Sequence, residues 1–152
     1  LSDEQLAANR ARIVERGAAE GFAFGVREHV WNTFDAHRLL HWALVEGAAG
    51  SQRALKHALL HAYHGQGRNP GAHDVLLELA TQVGLPVGRA REVLASGAFA
   101  NEVREAERFW QDAGIHSVPA VVIDRRHLIS GGQPAEVFEQ ALRQIAAESA
   151  AS

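Results

Sequence analysis

Apolar residues recur at helical spacing through most of this chain and shift once, near its end, to two short β-rich runs. Ser2-Asp3-Glu4-Gln5 has capping-box spacing, with Ser2 as N-cap and Gln5 at the third helical position. The helix it starts is predicted to reach about Glu20, with Leu6, Ala7, Ile13 and Ala18 as a modest apolar face and Gly21 as its stop. Phe22 to Val26 predicts a loop that packs its aromatic rings. Asn32 or Thr33 caps a second helix, whose stripe is Phe34, Ala36, Leu39, Leu40, Ala43 and Leu44, and which ends at Gly47 or Gly50. Ser51 is expected to cap a third, with Leu55, Ala58, Leu59 and Ala62 facing inward. Residues 65–71 form a breaker rich in glycine, asparagine and proline. A fourth helix is predicted from about Ala72 to Val83, ended by Gly84. Leu85-Pro86 resets the chain, and a short helix covers Gly88 to Ala95. After Ser96-Gly97 a longer helix from Phe99 to Ala113 carries Phe99, Val103, Ala106 and Trp110 on one stripe.

The period then changes. Val118-Pro119 enters the run Ala120 to Ile123, Asp124 to His127 turns the chain, and Leu128-Ile129-Ser130 returns to stop at Gly131-Gly132. Two β-rich runs around a polar turn predict a β-hairpin. Proline cannot donate to a ladder, and Pro119 sits at a strand start, where that costs nothing. Pro134 opens a last helix, with Val137, Phe138, Ala141, Leu142 and Ile145 as its buried face. The tail from Ala146 to Ser152 is expected to fray. A hairpin with one helix is marginal in water and leaves unpaired edges, so this end of the chain needs a further strand.

Composition narrows the function. The 152 residues suit one domain with a substantial core, with 47% hydrophobic and 22% charged residues. A net charge of −3 gives no broad basic surface for nucleic acid or an anionic membrane. Lys56 is the sole lysine, which reads as coding bias. No apolar run approaches the roughly 18 residues that span a bilayer, and no export signal is visible, which favours the cytoplasm. The chain contains no cysteine, so it forms no disulfide and no thiolate metal site. There is no internal repeat and no interdomain linker.

The histidines offer little. His37 and His41, and His57 and His61, are spaced i,i+4, as a zinc pair would be. Arg38 and Ala58 follow the first of each pair, where a zinc protease has glutamate, and no acidic cluster is adjacent, so no metal site is expected. No phosphate-binding glycine loop and no G-x-S-x-G elbow occurs.

Gly114-Ile115-x-x-Val118-Pro119, the strand ending in Ile123-Asp124, the hairpin, Ser130-Gly131-x-Gln133-Pro134 and the closing helix together resemble the C-terminal half of a DsbA-family thioredoxin fold. Asn32-Thr33-Phe34-Asp35-Ala36-His37-Arg38-Leu39 is similar to that family's NT-x-x-AHRL helix start. The resemblance covers essentially the whole chain. It points to the FrnE-like branch, related to 2-hydroxychromene-2-carboxylate isomerases and kappa-class glutathione transferases. The implied fold class is α-rich α/β: a helical insertion domain over residues 1–113, the strand, strand and helix of a thioredoxin-like domain over 114–148, and a tail over 149–152.

In that family the proline is cis and faces a redox-active Cys-x-x-Cys. The resemblance therefore implies thiol–disulfide exchange, with Val118 and Pro119 as the substrate platform and Ser117 beside them. It implies that Asn32, His37 and Arg38 border the cleft, Asn32 contacting a peptide or glutathione-like ligand and Arg38 holding a carboxylate. Asn32 also reads as a simple helix cap. Gln133 stands where the related enzymes bind the γ-glutamyl end of glutathione, so glutathione is the one co-substrate to consider. His116 is placed to tune a nearby thiolate. Two positions depart from the family: Ser117, where glycine is usual, and Ala120, where a large aromatic is usual.

The family's strand–helix–strand unit with its Cys-x-x-Cys has no counterpart here, and the chain opens on Leu1, so it is expected to be a fragment. The nucleophile would then lie outside it. A glutathione-dependent isomerase or kappa-like transferase is the alternative on the same fold, and a non-catalytic module binding a peptide or partner is a third. The expected partner is a thiol- or disulfide-bearing protein or small molecule, without nucleic acid or membrane; a homodimer is left open.

Overall fold

A computed structural model describes residues 2–26 and 29–150. Helix α1 spans Asp3–Ala19, α2 Phe34–Val45, α3 Ser51–Leu60, α4 His73–Gln82, α5 Val87–Ala95 and α6 Ala100–Asp112. Strands β1 (Ala120–Ile123) and β2 (His127–Ser130) follow, then α7 (Ala135–Ala150). The chain forms two compact units, Leu1–Arg104 and Glu105–Ser152.

The first unit holds the core. Leu39, Leu55, Leu76 and Val93 are fully buried, one from each of α2 to α5, and Trp42 at 1% exposure is the largest side chain among them. The stripe read from α2 is right at Ala36, Leu39, Leu40 and Ala43 but not at Leu44, which is 59% exposed. Trp42 takes the inward position, because its indole buries a large apolar surface while Nε1 donates to Glu46 Oε2 at 2.8 Å. Ser51 is not the cap of α3; it is the first helical residue, and Gly50 at φ 88° is the N-cap. The end of α3 widens into a π-turn, His61–Gly65, before the glycine-rich breaker.

α1 opens with the capping box at Ser2 and Gln5. Leu6 and Ile13 are exposed, so its apolar face meets no core. Phe22 and Phe24 pack edge to face at 4.7 Å in the following loop.

In the second unit β1 and β2 pair antiparallel, Val121 opposite Ile129 and Ile123 opposite His127. Arg126 N–H donates to Ile123 O at 3.1 Å, and Asp124 and Arg125 have φ of 52° and 55°. Both central residues of this turn thus lie at positive φ without glycine, in a three-residue connection between Ile123 and its cross-strand partner His127. Both faces of the hairpin are apolar, as in a strand pair covered on both sides. Yet no described residue of Glu105–Ser152 is buried. The expected buried face of α7 is half-buried at Phe138, Ala141 and Ile145 and exposed at Val137 and Leu142. On α6 only Val103 is buried, while Ala106 and Trp110 are exposed. The helix persists to Ala150 where fraying was expected, and residues 151–152 lie outside the described residues.

Candidate functional site

The loop before β1 is aimed by the end of α6. Gly114 N–H donates to Gln111 O at 2.9 Å and Ile115 N–H to Trp110 O at 3.0 Å. This is the paired pattern of a Schellman stop, and its left-handed residue is Gly114 at φ 87°, where a side chain would be strained. Ile115 and Trp110 then line one hollow with Val122 and Leu128. The stop sends His116, Ser117 and Val118 into solvent, and Val118 is 88% exposed.

The Val118–Pro119 peptide is cis. Pro119 is braced from behind: its carbonyl accepts from Gly131 N–H at 2.8 Å. Gly131 has φ 81°, and Gln133 closes the same turn, its N–H on Gly131 O at 3.1 Å and its Nε2 on Ser130 O at 2.9 Å. The glycine pair after β2 thus holds the proline loop in register, a link that strand patterns alone do not reveal. Gln133 donates within its own turn while its side chain remains exposed.

Asn32, His37 and Arg38 belong to the first unit. Asn32 Oδ1 accepts from Phe34 N–H at 2.9 Å, so it caps α2 although Thr33 is the formal N-cap. A Cβ on Gly71 would lie 2.3 Å from Asn32 O, so glycine is needed there for the loop to approach. His37 is exposed on α2.

Arg38 is 5% exposed, the one buried charged residue of the described chain. Its Nε donates to Ala98 O at 2.9 Å and its Nη1 to Asp35 Oδ1 at 2.8 Å. Nη2 donates to both Val93 O and Ser96 O. The guanidinium therefore satisfies carbonyls at the C-terminal end of α5, where the helix dipole favours a cation, and pins the turn into α6. The carboxylate it holds is the chain's own Asp35, three residues before it. That i,i+3 spacing was the available signal. Asp35 also contacts His73 Nε2 at 2.8 Å. Burial works to raise the Asp35 pKa, but the hydrogen bonds from His73 and Arg38, with their charges, outweigh it and hold the carboxyl below its ordinary value.

A hairpin entered through Val-Pro, braced by a glycine turn and followed by a helix is the C-terminal half of a thioredoxin-like fold. The chain belongs to the DSBA-like thioredoxin domain family, whose pattern matches residues 2–143. Among solved structures it is similar to a probable DsbA oxidoreductase from Streptomyces coelicolor, at 40% identity and a TM-score of 0.85. That match covers 95% of this chain and 62% of the oxidoreductase. No curated protein matches. No helix among the described residues is long and apolar enough to cross a membrane.

Proposed function

We propose that these residues form the helical and C-terminal part of a DsbA-like thiol–disulfide oxidoreductase of the FrnE-like branch. The observation that carries this reading is the family match over 2–143, joined to 40% identity with a probable DsbA oxidoreductase across 95% of the chain. The chain itself holds no thiol. The attacking group is then a Cys-x-x-Cys outside these residues, and the half-buried faces of the second unit are the surface against which such a unit folds.

In exchange, a thiolate attacks one sulfur of a disulfide, the S–S bond breaks, and the second sulfur leaves as a thiolate. A second attack on the mixed disulfide completes the transfer of two electrons between protein and substrate. The loop's part is to bind. Val118 is 88% exposed, and an extended peptide can pair with its main chain as in strand addition. Pro119 has no N–H, so it offers no donor that would tie up the reacting sulfur.

Two measurements test this. The intact mass of the natural polypeptide should exceed 16.4 kDa, with two thiols titrating only after reduction. A serine in place of the first cysteine would move the assignment to the glutathione-dependent enzymes, and a mass of 16.4 kDa with no thiol would end the oxidoreductase reading. In the dithiol enzyme, Val118→Pro should lower kcat/KM for a peptide disulfide about tenfold, the loss of one well-placed hydrogen bond, and leave the reaction with dithiothreitol unchanged. Equal loss toward both would show that Val118 is not a peptide platform.

A further inference from the structure

The first unit contains a second feature, unconnected with Asn32 to Arg38. An open cavity of about 600 Å³ lies between α1, the Phe22–Val26 loop and the end of α3. Its walls include Ile13, Val14, Val26 and Leu60, all exposed, and Arg10 stands among them. Among the described residues the lining holds no carboxylate, and Arg10 makes no ion pair with any of them.

The floor is fixed. Gly25 N–H donates to His64 O at 2.9 Å, and a Cβ on Gly25 would lie 2.2 Å from Gly65 O. Only glycine allows the loop to lie this close to the π-turn, and single π-turns recur at functional sites. The aromatic rings are already paired, Phe22 on Phe24 at 4.7 Å and Phe24 on His64 at 6.1 Å. What remains open is aliphatic, with one guanidinium.

We propose that this cavity binds a medium-chain aliphatic monocarboxylate, its tail along Ile13, Val14, Val26 and Leu60 and its carboxylate on the Arg10 guanidinium. The volume falls within the range of small-molecule sites. A planar fork of donors with no counter-ion among the described residues matches a carboxylate. The scarcity of polar side chains along the walls, Arg10 and His64 alone among the described residues, suits an alkyl chain better than a peptide, whose amides would go unpaired.

The test is calorimetric titration of the protein with hexanoate, octanoate and decanoate, and with decanol. Affinity should rise about fourfold per added methylene, as burial of each one implies. Arg10→Gln should weaken decanoate roughly tenfold and leave decanol unchanged. Val14→Asp should abolish binding of both; Val14 is 47% exposed, so the far-UV spectrum should be unaltered. No binding of decanoate at millimolar concentration, no dependence on chain length, or equal decanoate binding by Arg10→Gln would each overturn the assignment.

Discussion

Replacing Arg38 with methionine removes every polar contact of the guanidinium while keeping an unbranched chain of similar length. Four acceptors lose their donor: Ala98 O, Asp35 Oδ1, Val93 O and Ser96 O. Hydrogen bonds to a charged group contribute about 1.5–3 kcal/mol each, but they share one side chain and do not add. Removing the charge also relieves its desolvation, which offsets part of the loss. Breaking one side of a buried charged pair typically costs about 3–5 kcal/mol, and that is the expected magnitude here. With a urea slope of about 2 kcal/mol/M for a domain of this size, the midpoint should fall by roughly 2 M. The near-ultraviolet signal of buried Trp42 reports the first unit directly. Arg38→Lys should not rescue, because one ammonium cannot replace a fork that reaches three carbonyls and a carboxylate. A midpoint change below about 0.5 M in Arg38→Met, equivalent to about 1 kcal/mol on that slope, would refute the capping role and return Arg38 to the substrate cleft.

Asp35 gives the first unit an acid limb. Its folded-state carboxyl titrates below the ordinary 3.8, so its contribution is complete above that value and is lost as the pH falls through the depressed one. In Asp35→Asn, urea midpoints measured from pH 6 downward should lose that part of their slope. Leu39→Ala should destabilise the chain by about 2–5 kcal/mol, whereas Leu44→Ala on the same helix should stay within about 0.5 kcal/mol; equal effects in denaturant unfolding would contradict the orientation of α2. Gly71→Ala puts a methyl against Asn32 O and should cost about 1–3 kcal/mol, with amide shifts at Phe34 reporting the disturbed cap; an unchanged spectrum would show that the loop yields freely.

The helices and hairpin were largely legible because each is a local pattern. The capping box at Ser2, the period of α2 to α5, the breaker at 65–71 and the alternation around Asp124–Arg125 are set by residues a few positions apart. Ser51 misled because a good capping residue followed a glycine that was free to take the left-handed cap itself. Leu44 misled because a stripe drawn from apolar residues alone passed over Trp42, whose polar edge found Glu46.

The site divides in the same way. The strand entry at Val118-Pro119 is visible from the sequence, since a proline at a strand start after a glycine stop is a local statement. That Gly131 braces Pro119 depends on hairpin register, which fixes which ends meet. Arg38 shows the limit most clearly. By sequence it is a cation on an exposed-looking helix start, open to any carboxylate. Only the packing of α2 against α5 brings carbonyls 55 to 60 residues away within reach. Sequence by itself determined which segments are helix, turn and strand, because those choices rest on backbone conformation and short-range hydrogen bonds. Tertiary structure alone decided which polar groups are internal partners, because burial and the pairing it demands are properties of distant segments brought together.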